Sequence, residues 1–520
     1  MAKELLGRAV GSTRRGIIPP TLEELRSIAQ EYHMTMSIED LEGFAAEIEG
    51  TLASYRRVGQ LPEPRPEVKY PRVPGYRPPR DENPLNAWCW RCSIKGASRG
   101  KLAGKTIAIK DNVCVAGVPM MNGSAILEGF VPDVDATIVT RILDAGGEII
   151  GKAVCEDLCL TGGSHTSVTG PVLNPHNPRY SAGGSSSGSA VLVVNEDCDM
   201  AIGGDQGGSI RIPSALCGAY GLKPTYGLVP YTGIFPIENT LDHTGPMART
   251  VEDVALLLEV IAGRDPLDPR QREEIKKISY TKALTGSVRD LSFGVVREGF
   301  GWPEGSGPDV DQAVKDAAFS FEKLGAKVRE LSIPLHRDGI HIFSPIFVEG
   351  AAAQMIRGNG FGTGWKGYYP TGMLNYYGKS RKMLADNFSN TVKLVILVGH
   401  YMLTRYHGRY YAKAQNQVRL LREAYDQALR EVDLLVMPTV APEGKALPLV
   451  ENPTPEEYFR LGWRHHWNCA PFNITGHPAM NVPCAKSDGL PIGMMLIGRQ
   501  FGDATVLRGA HAFQSLGRYG

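Results

Sequence analysis

The chain has 520 residues, 42% of them hydrophobic and 21% charged, and its 56 Lys and Arg against 55 Asp and Glu leave a formal net charge of +1. This composition is typical of a globular protein with a sizeable core, and the length suits one large domain or two to three ordinary ones. No basic block supports a nucleic-acid partner, and no apolar stretch reaches the roughly 20 residues of a membrane-spanning helix, so we expect neither a nucleic acid nor a membrane as partner.

The first residues and the cysteines bear on the cellular compartment. The segment MAKELLGRAV lacks the apolar core and small-residue cleavage site of a secretory signal. Nine cysteines is an odd number, and most of them lie inside apolar runs, which indicates reduced and partly buried thiols. We therefore expect a cytoplasmic protein.

Helical signals come first along the chain. Thr21 precedes Leu-Glu-Glu-Leu, which is typical of a capped helix start with acidic residues in its first turn. Apolar residues at helical spacing continue to about Tyr55, so residues 1–60 are predicted to form a helical N-terminal domain. Residues 61–84 are rich in proline and charge, and they predict an extended linker because proline lacks an N–H and disfavours helix before it.

Strands and helices alternate from about Leu85 onward. Thr106-Ile-Ala-Ile predicts a short buried strand that ends at Lys110, and further strands are expected at residues 293–296, 434–437 and 492–497. Because helices of 10–20 residues separate such strands, the pattern predicts an α/β fold with a largely parallel or mixed sheet.

Two Gly/Ser-rich loops carry the residues that are most informative about chemistry. The first is SAGGSSSGSA from Ser181, and the second is GGDQGGSIRIP from Gly203. Each lies beside an apolar run, with a helix predicted at 190–194 and a strand at 200–202. Three interpretations compete for these loops.

A phosphate cradle and a nucleophile elbow are the first two interpretations. Glycine-rich loops at helix N-termini bind anions, but neither loop matches G-x-x-x-x-G-K-[ST] or G-x-G-x-x-G. Ser186 is the centre of a G-x-S-x-G match, yet that motif predicts a strand directly before the serine, whereas residues 175–182 are turn-like. We favour the third interpretation, in which the two loops act together.

The pair of loops resembles the amidase signature family. Ser209 lies 24 residues beyond Ser185, and Lys110 in TIAIKDN lies 75 residues before Ser185. The resemblance continues through CGAYGLKPTYGLVP, PFNITGHPAMNVP and GLPIGMMLIG, and so covers the chain from about Leu85 to the end. AIKDNVCVAGVPMMNGS and GKAVCEDLC are similar to the bacterial amidases associated with nitrile hydratase, which also carry a helical N-terminal domain.

The resemblance implies a role for each of three residues. Ser209 matches the nucleophile that forms an acyl-enzyme, Ser185 matches a bridging serine preceded by a cis peptide bond, and Lys110 matches the terminal base. A serine hydroxyl needs a neighbouring base, and a lysine, with an unperturbed pKa of about 10.4, must be neutral to act as one. Burial at the end of an apolar strand lowers the pKa of a lysine, so the Thr-Ile-Ala-Ile segment before Lys110 fits this role.

The second loop is expected to stabilise the negative charge that develops during amide cleavage. Consecutive glycines let several backbone N–H groups point at one site. The resemblance assigns this oxyanion hole to the N–H groups of Gln206, Gly207, Gly208 and Ser209. Asp205 and Arg211 flank the turn, and we expect them to brace the loop.

The architecture that the resemblance implies is the amidase-signature α/β fold, a central mixed sheet flanked by helices. Residues 85–297 and 408–520 are expected to form the catalytic core. Residues 298–407 have weak periodicity and many Gly and aromatic residues, and they are predicted to form an inserted smaller subdomain or loops over the active site. We expect no cofactor and no metal, a small-molecule amide as substrate, and a homodimer.

Several residues outside the loops have alternative interpretations. Cys89 and Cys92 form a C-x-x-C without a second pair at zinc spacing, so structural thiols are favoured. Cys155 and Cys159 flank Glu156 and could suggest a Cys–Glu–Lys amidase, but two buried thiols on one turn is the favoured account.

Two further sets of residues stay open between a pocket and a core. His465 and His466 have no recognisable metal-ligand spacing and are expected to be structural or to line a pocket. Four aromatic residues either line a hydrophobic acyl pocket or fill a core: Trp365, Tyr368, Tyr369 and Tyr376.

Three functions follow from these motifs. The first is hydrolysis of small aliphatic or aromatic carboxamides to a carboxylic acid plus ammonia or amine. The second uses the same machinery on anilides, carbamates or esters, because pocket shape rather than the catalytic residues decides the bond cleaved. The third is a component of a glutamine amidotransferase that feeds ammonia to a partner, which the helical N-terminal domain disfavours.

Overall fold

A computed structural model of the chain describes residues 16–276, 278–303, 305, 307–442 and 444–517. The first 15 residues of the predicted N-terminal domain and the last three of the predicted core lie outside the described residues. The chain divides into two compact units, one ending at Pro66 and one beginning at Glu67. The finer domain boundaries stay a prediction.

The first unit contains two capped helices, α1 (Leu22–Glu31) and α2 (Ile38–Gln60). The Thr21 side chain accepts a hydrogen bond from Glu24 N at 3.2 Å, and Ser37 Oγ accepts one from Asp40 N at 3.0 Å. Both are capping boxes, in which the acidic side chain also accepts from the N-cap N–H. The first helix therefore begins where Thr21 and the acids after it predict.

An eleven-stranded sheet forms the centre of the second unit, in the order β1-β3-β2-β4-β6-β5-β10-β11-β9-β7-β8. Strand β2 runs parallel to β3 and β4, and β7 runs parallel to β8 and β9, while the other neighbours are antiparallel. The mixed α/β sheet expected from the sequence is thus confirmed. The strands are β1 (Trp88–Lys95), β2 (Thr106–Lys110), β3 (Glu148–Ala153), β4 (Met200–Asp205), β5 (Tyr220–Lys223), β6 (His243–Ala248), β7 (Ser292–Val296), β8 (Lys327–Leu331), β9 (Leu434–Pro438), β10 (Ala479–Ser487) and β11 (Leu490–Ile497).

Helices flank the sheet and connect its strands. They are α3 (Thr137–Asp144), α4 (Ser187–Val194), α5 (Arg211–Cys217), α6 (Val251–Ile261), α7 (Pro308–Phe319), α8 (Gly339–Ala351), α9 (Thr371–Met383), α10 (Asn390–Tyr406), α11 (Arg409–Glu431), α12 (Pro455–Trp463), α13 (Pro471–Thr475) and α14 (Asp503–Gln514). Short 3-10 turns lie between them, and a π-helical turn, Ala352–Arg357, continues α8.

Strand β2 is buried on both faces. Ile107 and Ile109 belong to the larger apolar cluster, and Ala108 between them belongs to a second cluster that includes residues of α4. Successive side chains of a strand point to opposite faces, so such a strand reads as a continuous apolar run. Because β2 is buried, Lys110, its last residue, lies in the interior of the protein.

Residues 298–407 contribute to the sheet as well as covering it. Strand β8 lies in this segment and pairs with β7 at the edge of the sheet. Within the described residues one helical run, Pro334–Arg357, is long and apolar enough to cross a membrane by length and composition alone. Of its most apolar window, 61% is buried inside the protein, as in the core helix of a globular protein.

Candidate active site

Lys110 and Ser185 form a buried hydrogen-bonded pair. The Lys110 Nζ donates to Ser185 Oγ at 2.7 Å and to the Gly204 carbonyl oxygen at 3.3 Å, and both side chains are 0% exposed. Strands β2 and β4 are parallel neighbours, so their carboxyl ends meet at one edge of the sheet. This topology brings the lysine to the start of the loop that follows β4.

The Lys110 ammonium or amine nitrogen has no carboxylate partner among the described residues. Among the described residues no carboxylate oxygen lies within 4.0 Å of its Nζ, whereas the equally buried Lys152 lies 2.9 Å from Asp111 Oδ1. The Gly184–Ser185 peptide bond is cis, as the family resemblance implies for the bridging serine. The pair therefore offers a nitrogen and a hydroxyl in direct contact without a carboxylate counter-ion.

Ser209 lies on the second loop, which is tied to the first by a main-chain hydrogen bond. Ser186 N donates to the Ser209 carbonyl oxygen at 3.1 Å. Ser209 is 4% exposed, and its Oγ makes no hydrogen bond with any described residue, including Ser185. The structure thus forms the Lys110–Ser185 contact and leaves the Ser209 hydroxyl unengaged.

Ser186 does not fit the nucleophile elbow. Its Oγ donates to the Gly204 carbonyl oxygen at 3.1 Å and accepts from Gly204 N at 3.1 Å, and the residue is 0% exposed. Both hydrogen bonds tie the first loop to strand β4. The hydroxyl of Ser186 is therefore engaged both as a donor and as an acceptor by main-chain groups of Gly204.

The four N–H groups predicted to form an oxyanion hole are not equivalent. Gly208 N donates to Asp205 Oδ1 at 2.8 Å, so this N–H already has an acceptor, and its role in the oxyanion hole stays a prediction. The N–H groups of Gln206, Gly207 and Ser209 have no acceptor among the described residues. Gly208 has φ +132°, and a Cβ there would lie 2.6 Å from Ile212 Cδ1, so the loop needs glycine for its shape.

An ion pair braces this loop from inside the protein. Arg211 Nη2 lies 2.9 Å from Asp205 Oδ1, and both side chains are 0% exposed. Burial raises the pKa of a carboxyl, but the guanidinium of Arg211 outweighs burial and holds the pKa of Asp205 well below its usual range. Arg211 also donates to Cys469 O at 3.0 Å and to Asn473 Oδ1 at 2.7 Å, which anchors the loop to helix α13.

The Cys–Glu–Lys alternative finds only part of its contacts. Burial raises the pKa of the Cys159 thiol, but its interactions with Cys155, Lys110 and Ser185 outweigh burial and lower that pKa to about 7. The Glu156 carboxyl group accepts instead from Thr161 and Thr166. The thiols of Cys155 and Cys159 both donate to Asn122 Oδ1, at 3.5 Å and 3.2 Å. Burial raises the pKa of Glu156 to about 8, against hydrogen bonds donated by Thr166 that lower it. Glu156 N donates to the Ser185 carbonyl oxygen at 3.3 Å, so this residue supports the first loop through its main chain.

An apolar pocket of about 310 Å³ opens beside the second loop. Gly207 touches two of its lining residues, because a Cβ on Gly207 would lie 2.9 Å from Phe343 Cζ and 3.2 Å from His466 Cδ2. Pockets that bind small molecules are of this size and mostly apolar. The lining comes from α8, α10 and α12 and the residues after α12: Ile340, Phe343, Ser344, Phe347, Val348, Leu394, Val395, Val398, Trp463, His466 and Trp467.

Most of these pocket residues were not predicted from the sequence. His466 does line the pocket, but the four aromatic candidates do not: Trp365, Tyr368, Tyr369 and Tyr376. The Tyr376 hydroxyl instead donates to Glu128 O at 2.6 Å. Aromatic residues at helical spacing, such as Phe343 and Phe347, were the available signal. The described residues contain no group of three His, Cys, Asp or Glu side chains that could hold a metal ion.

Comparison with known proteins identifies the family. The family model described as Amidase matches residues 87–507. An enantioselective amidase of Rhodococcus rhodochrous is 44% identical over 510 residues, which cover 97% of this chain and 97% of that protein. One component of the glutamyl-tRNA(Gln) amidotransferase of Methanosarcina mazei is 39% identical over 422 residues, which cover 81% of this chain and 86% of that component.

Solved structures agree with this family assignment. The native peptide amidase of Stenotrophomonas maltophilia superposes with a TM-score of 0.66 and 28% identity, covering 81% of this chain and 84% of that chain. The fold and the site are those of a hydrolase that cleaves amide C–N bonds and is built on a mixed α/β sheet. The chain belongs to the amidase family, because the family model spans most of its length. The resemblance, the fold and the reaction predicted from the sequence are therefore confirmed.

Proposed function

We propose that the chain hydrolyses small carboxamides with an apolar acyl group, using Ser209 as nucleophile, Ser185 as bridge and Lys110 as base. The observation that carries this proposal is the buried 2.7 Å hydrogen bond between Lys110 Nζ and Ser185 Oγ, beside the loop that holds Ser209. The products are a carboxylic acid and ammonia or an amine.

The first chemical step is attack on the amide carbonyl carbon. Ser209 passes its proton to Ser185 as Ser185 passes its own proton to the neutral amine of Lys110. Ser209 Oγ makes no hydrogen bond to Ser185 in this structure, and catalytic hydrogen bonds are commonly long without substrate and tighten when it binds. A carbon–oxygen bond to Ser209 forms, and the carbonyl oxygen becomes an oxyanion.

Main-chain donors stabilise that oxyanion. The N–H groups of Gln206, Gly207 and Ser209 have no acceptor among the described residues, whereas that of Gly208 is held by Asp205. Losing one such donor typically costs about 10²–10³-fold in kcat. We therefore assign the oxyanion hole to these three N–H groups.

The intermediate then collapses with cleavage of the C–N bond. An amide anion is a poor leaving group, so the protonated Lys110 returns its proton through Ser185 to the leaving nitrogen. The acyl group stays on Ser209 as an ester. Water then attacks this ester by the same proton relay in reverse, which releases the acid and restores Ser209.

The pocket supports the substrate class. Its lining is apolar, and it adjoins Gly207 through Phe343 and His466. An apolar acyl group fits such a site better than the charged acyl group of glutamine does, which favours a free-standing amidase over an ammonia-supplying component of a complex. Turnover of simple amides by the purified chain without a partner distinguishes the two.

The bond that is cleaved is a separate question, because the same relay also serves anilides, carbamates and esters. The specificity constants for a primary amide, an anilide and a urethane of matched size compare these substrates. We expect the primary amide to give the highest value.

The nucleophile has its own test. Ser209→Ala removes the attacking oxygen, and we expect the turnover of every amide to fall by at least about 10³-fold. The variant is to be compared with wild type by circular dichroism so that loss of fold is recognised. Wild-type turnover in folded Ser209→Ala would overturn the assignment.

We also propose a cytoplasmic homodimer. All nine cysteines are free thiols, and eight of them are buried, which suits a reducing compartment. The two helices of the first unit bury only Ala29 and Leu41, while Tyr32, Phe44 and Tyr55 are 70%, 54% and 59% exposed. Light scattering of the purified chain tests the oligomeric state.

A further inference from the structure

The imidazole of His466 lies against two glycines, Gly207 of the second loop and Gly162, which precedes the first loop. A Cβ on Gly162 would lie 2.7 Å from His466 Cε1 and 3.2 Å from its Nε2, and a Cβ on Gly207 would lie 3.2 Å from its Cδ2. Cε1, Nε2 and Cδ2 are consecutive ring atoms, so Nε2 points between the two glycines. Because neither glycine has a Cβ, the imidazole ring of His466 can lie against both of them.

The hydrogen bond at the other ring nitrogen decides which nitrogen carries the proton. His466 Nδ1 lies 3.3 Å from the Trp463 carbonyl oxygen, which can only accept, so Nδ1 carries the hydrogen. Burial, assisted by His465, lowers the pKa of His466 to about 4, so the ring is neutral at neutral pH. In this tautomer Nε2 is an acceptor, and among the described residues the only hydrogen bond of the His466 ring is the one at Nδ1.

The position of Nε2 relates it to the scissile group of a bound amide. Gly207 carries one of the N–H groups assigned to the carbonyl oxygen, and His466 Cδ2 faces the same residue from the pocket side. A carboxamide held by its oxygen at this loop presents its nitrogen close by, since both atoms are bonded to one carbon. The N–H of the amide then needs an acceptor at the edge of a pocket whose lining is mostly apolar.

We infer that His466 is a specificity-determining residue whose Nε2 accepts a hydrogen bond from the N–H of the substrate amide, and so selects amides over esters of the same acid. This inference rests on the proposed function. An ester has an oxygen without hydrogen where the amide has its N–H, and it leaves Nε2 without a partner. A site built to bind an N–H discriminates strongly against an analogue that lacks it.

The test compares phenylacetamide with methyl phenylacetate, which share one apolar acyl group. In His466→Phe the ring volume is kept and the acceptor is lost, so we expect kcat/KM for the amide to fall about 10–100-fold and that for the ester to change less than about threefold. In His466→Gln the side-chain oxygen takes the place of Nε2, and we expect the amide-to-ester ratio to return to within about fivefold of wild type. A residue that only packs would lower both substrates together.

Two outcomes would overturn the inference: equal losses of kcat/KM for amide and ester in His466→Phe, or no loss for either substrate. If His466→Phe does not fold, His466→Met, which fills irregular space without an acceptor of comparable strength, carries the same comparison against His466→Gln. Ser209→Ala is run in parallel. Turnover by Ser209→Ala would refute the relay, whereas an inactive Ser209→Ala with an unchanged ratio in the His466 variants would refute the role of His466 alone.

Discussion

Two buried lysines on neighbouring strands have different partners. Lys152 on β3 lies 2.9 Å from the carboxylate of Asp111, which supplies a counter-charge. Lys110 on β2 instead donates to the hydroxyl of Ser185 and to the carbonyl oxygen of Gly204. A general base must be able to hold and release a proton during the reaction, so the uncharged hydrogen-bond partners of Lys110 suit that role.

Two adjacent serines provide a matched test of the relay. Ser185→Ala removes the hydroxyl that contacts Lys110, and we expect kcat/KM for an amide to fall by about 10²–10⁴-fold. Ser186→Ala removes two hydrogen bonds to Gly204, so we expect lower stability, by about 1–3 kcal/mol, with kcat/KM within about threefold of wild type. Steady-state kinetics and thermal unfolding measure both. The opposite order of activity loss would favour the nucleophile elbow.

The buried carboxyl of Glu156 makes stability depend on pH. Burial raises the pKa of Glu156 in the folded chain from 4.5 to about 8. Between these two pH values Glu156 is protonated in the folded chain and ionised in the unfolded chain. The contribution of Glu156 to the free energy of unfolding therefore falls as the pH rises. Glu156→Gln keeps a side chain of similar shape but has no ionisable carboxyl, so the variant lacks this pH-dependent loss of stability. We expect the Tm of the variant to exceed that of wild type at pH 8 and to approach it at pH 5. A Tm difference independent of pH would contradict this account.

At the scale of elements, the loops after strands β2 and β4 meet because parallel neighbours end at the same edge of the sheet. The second loop then turns into α5, held by Asp205 and Arg211. Helices α8, α10 and α12 bring the apolar pocket to this edge. In the proposed mechanism the sheet therefore positions the reacting residues, and the helices over it form the pocket for the acyl group.

Helix α10 offers a test of the pocket with a control on the same helix. Leu394 lines the pocket, whereas Leu397 is 69% exposed and is not part of the lining. Leu394→Trp fills pocket volume, so we expect kcat/KM for an arylalkyl amide to fall by about tenfold or more while a small aliphatic amide loses less than about threefold. Leu397→Trp is expected to leave both unchanged. Equal effects of the two variants would place the acyl group elsewhere.

The sequence was most informative where chemistry depends on spacing along the chain. Lys110, Ser185 and Ser209 lie in motifs that are recognisable as a set, and the contact between the first two is present in the structure. The capped start at Thr21 and the strand that ends at Lys110 follow from local patterns. These features depend on short segments whose residues act together.

Other features depend on packing between distant segments, which local patterns do not encode. Gly208 resembles its neighbours in the loop, yet its N–H binds Asp205 because of how the turn closes. Phe343, Leu394 and Trp463 come together from three helices that are far apart in sequence. Tyr376 is as aromatic as these residues, but its hydroxyl bonds to Glu128 O.

At the scale of the whole molecule, the residues of the proposed relay and of the pocket lie entirely within the second unit. Lys110, Ser185 and Ser209 all follow Glu67, where that unit begins. Units with their own core commonly fold alone. The first unit is therefore not needed for the chemistry in this account.

Removal of residues 1–66 tests this division. We expect a chain that begins at Glu67 to fold and to keep kcat/KM for a small amide within about threefold of the full chain, because its core and site are intact. We also expect light scattering to show a smaller assembly if the first unit joins two copies. A folded but inactive truncated chain would show that the first unit contributes to the site.

The central claim is that Ser209, and no other residue, forms the covalent acyl-enzyme. Labelling with a fluorophosphonate, followed by proteolysis and mass mapping of the modified peptide, tests it most directly, because such a reagent reacts with an activated serine. We expect one adduct per chain on Ser209, and no adduct in Ser185→Ala on the same time scale. An adduct on Ser186, or on a cysteine such as Cys155 or Cys159, would contradict the account.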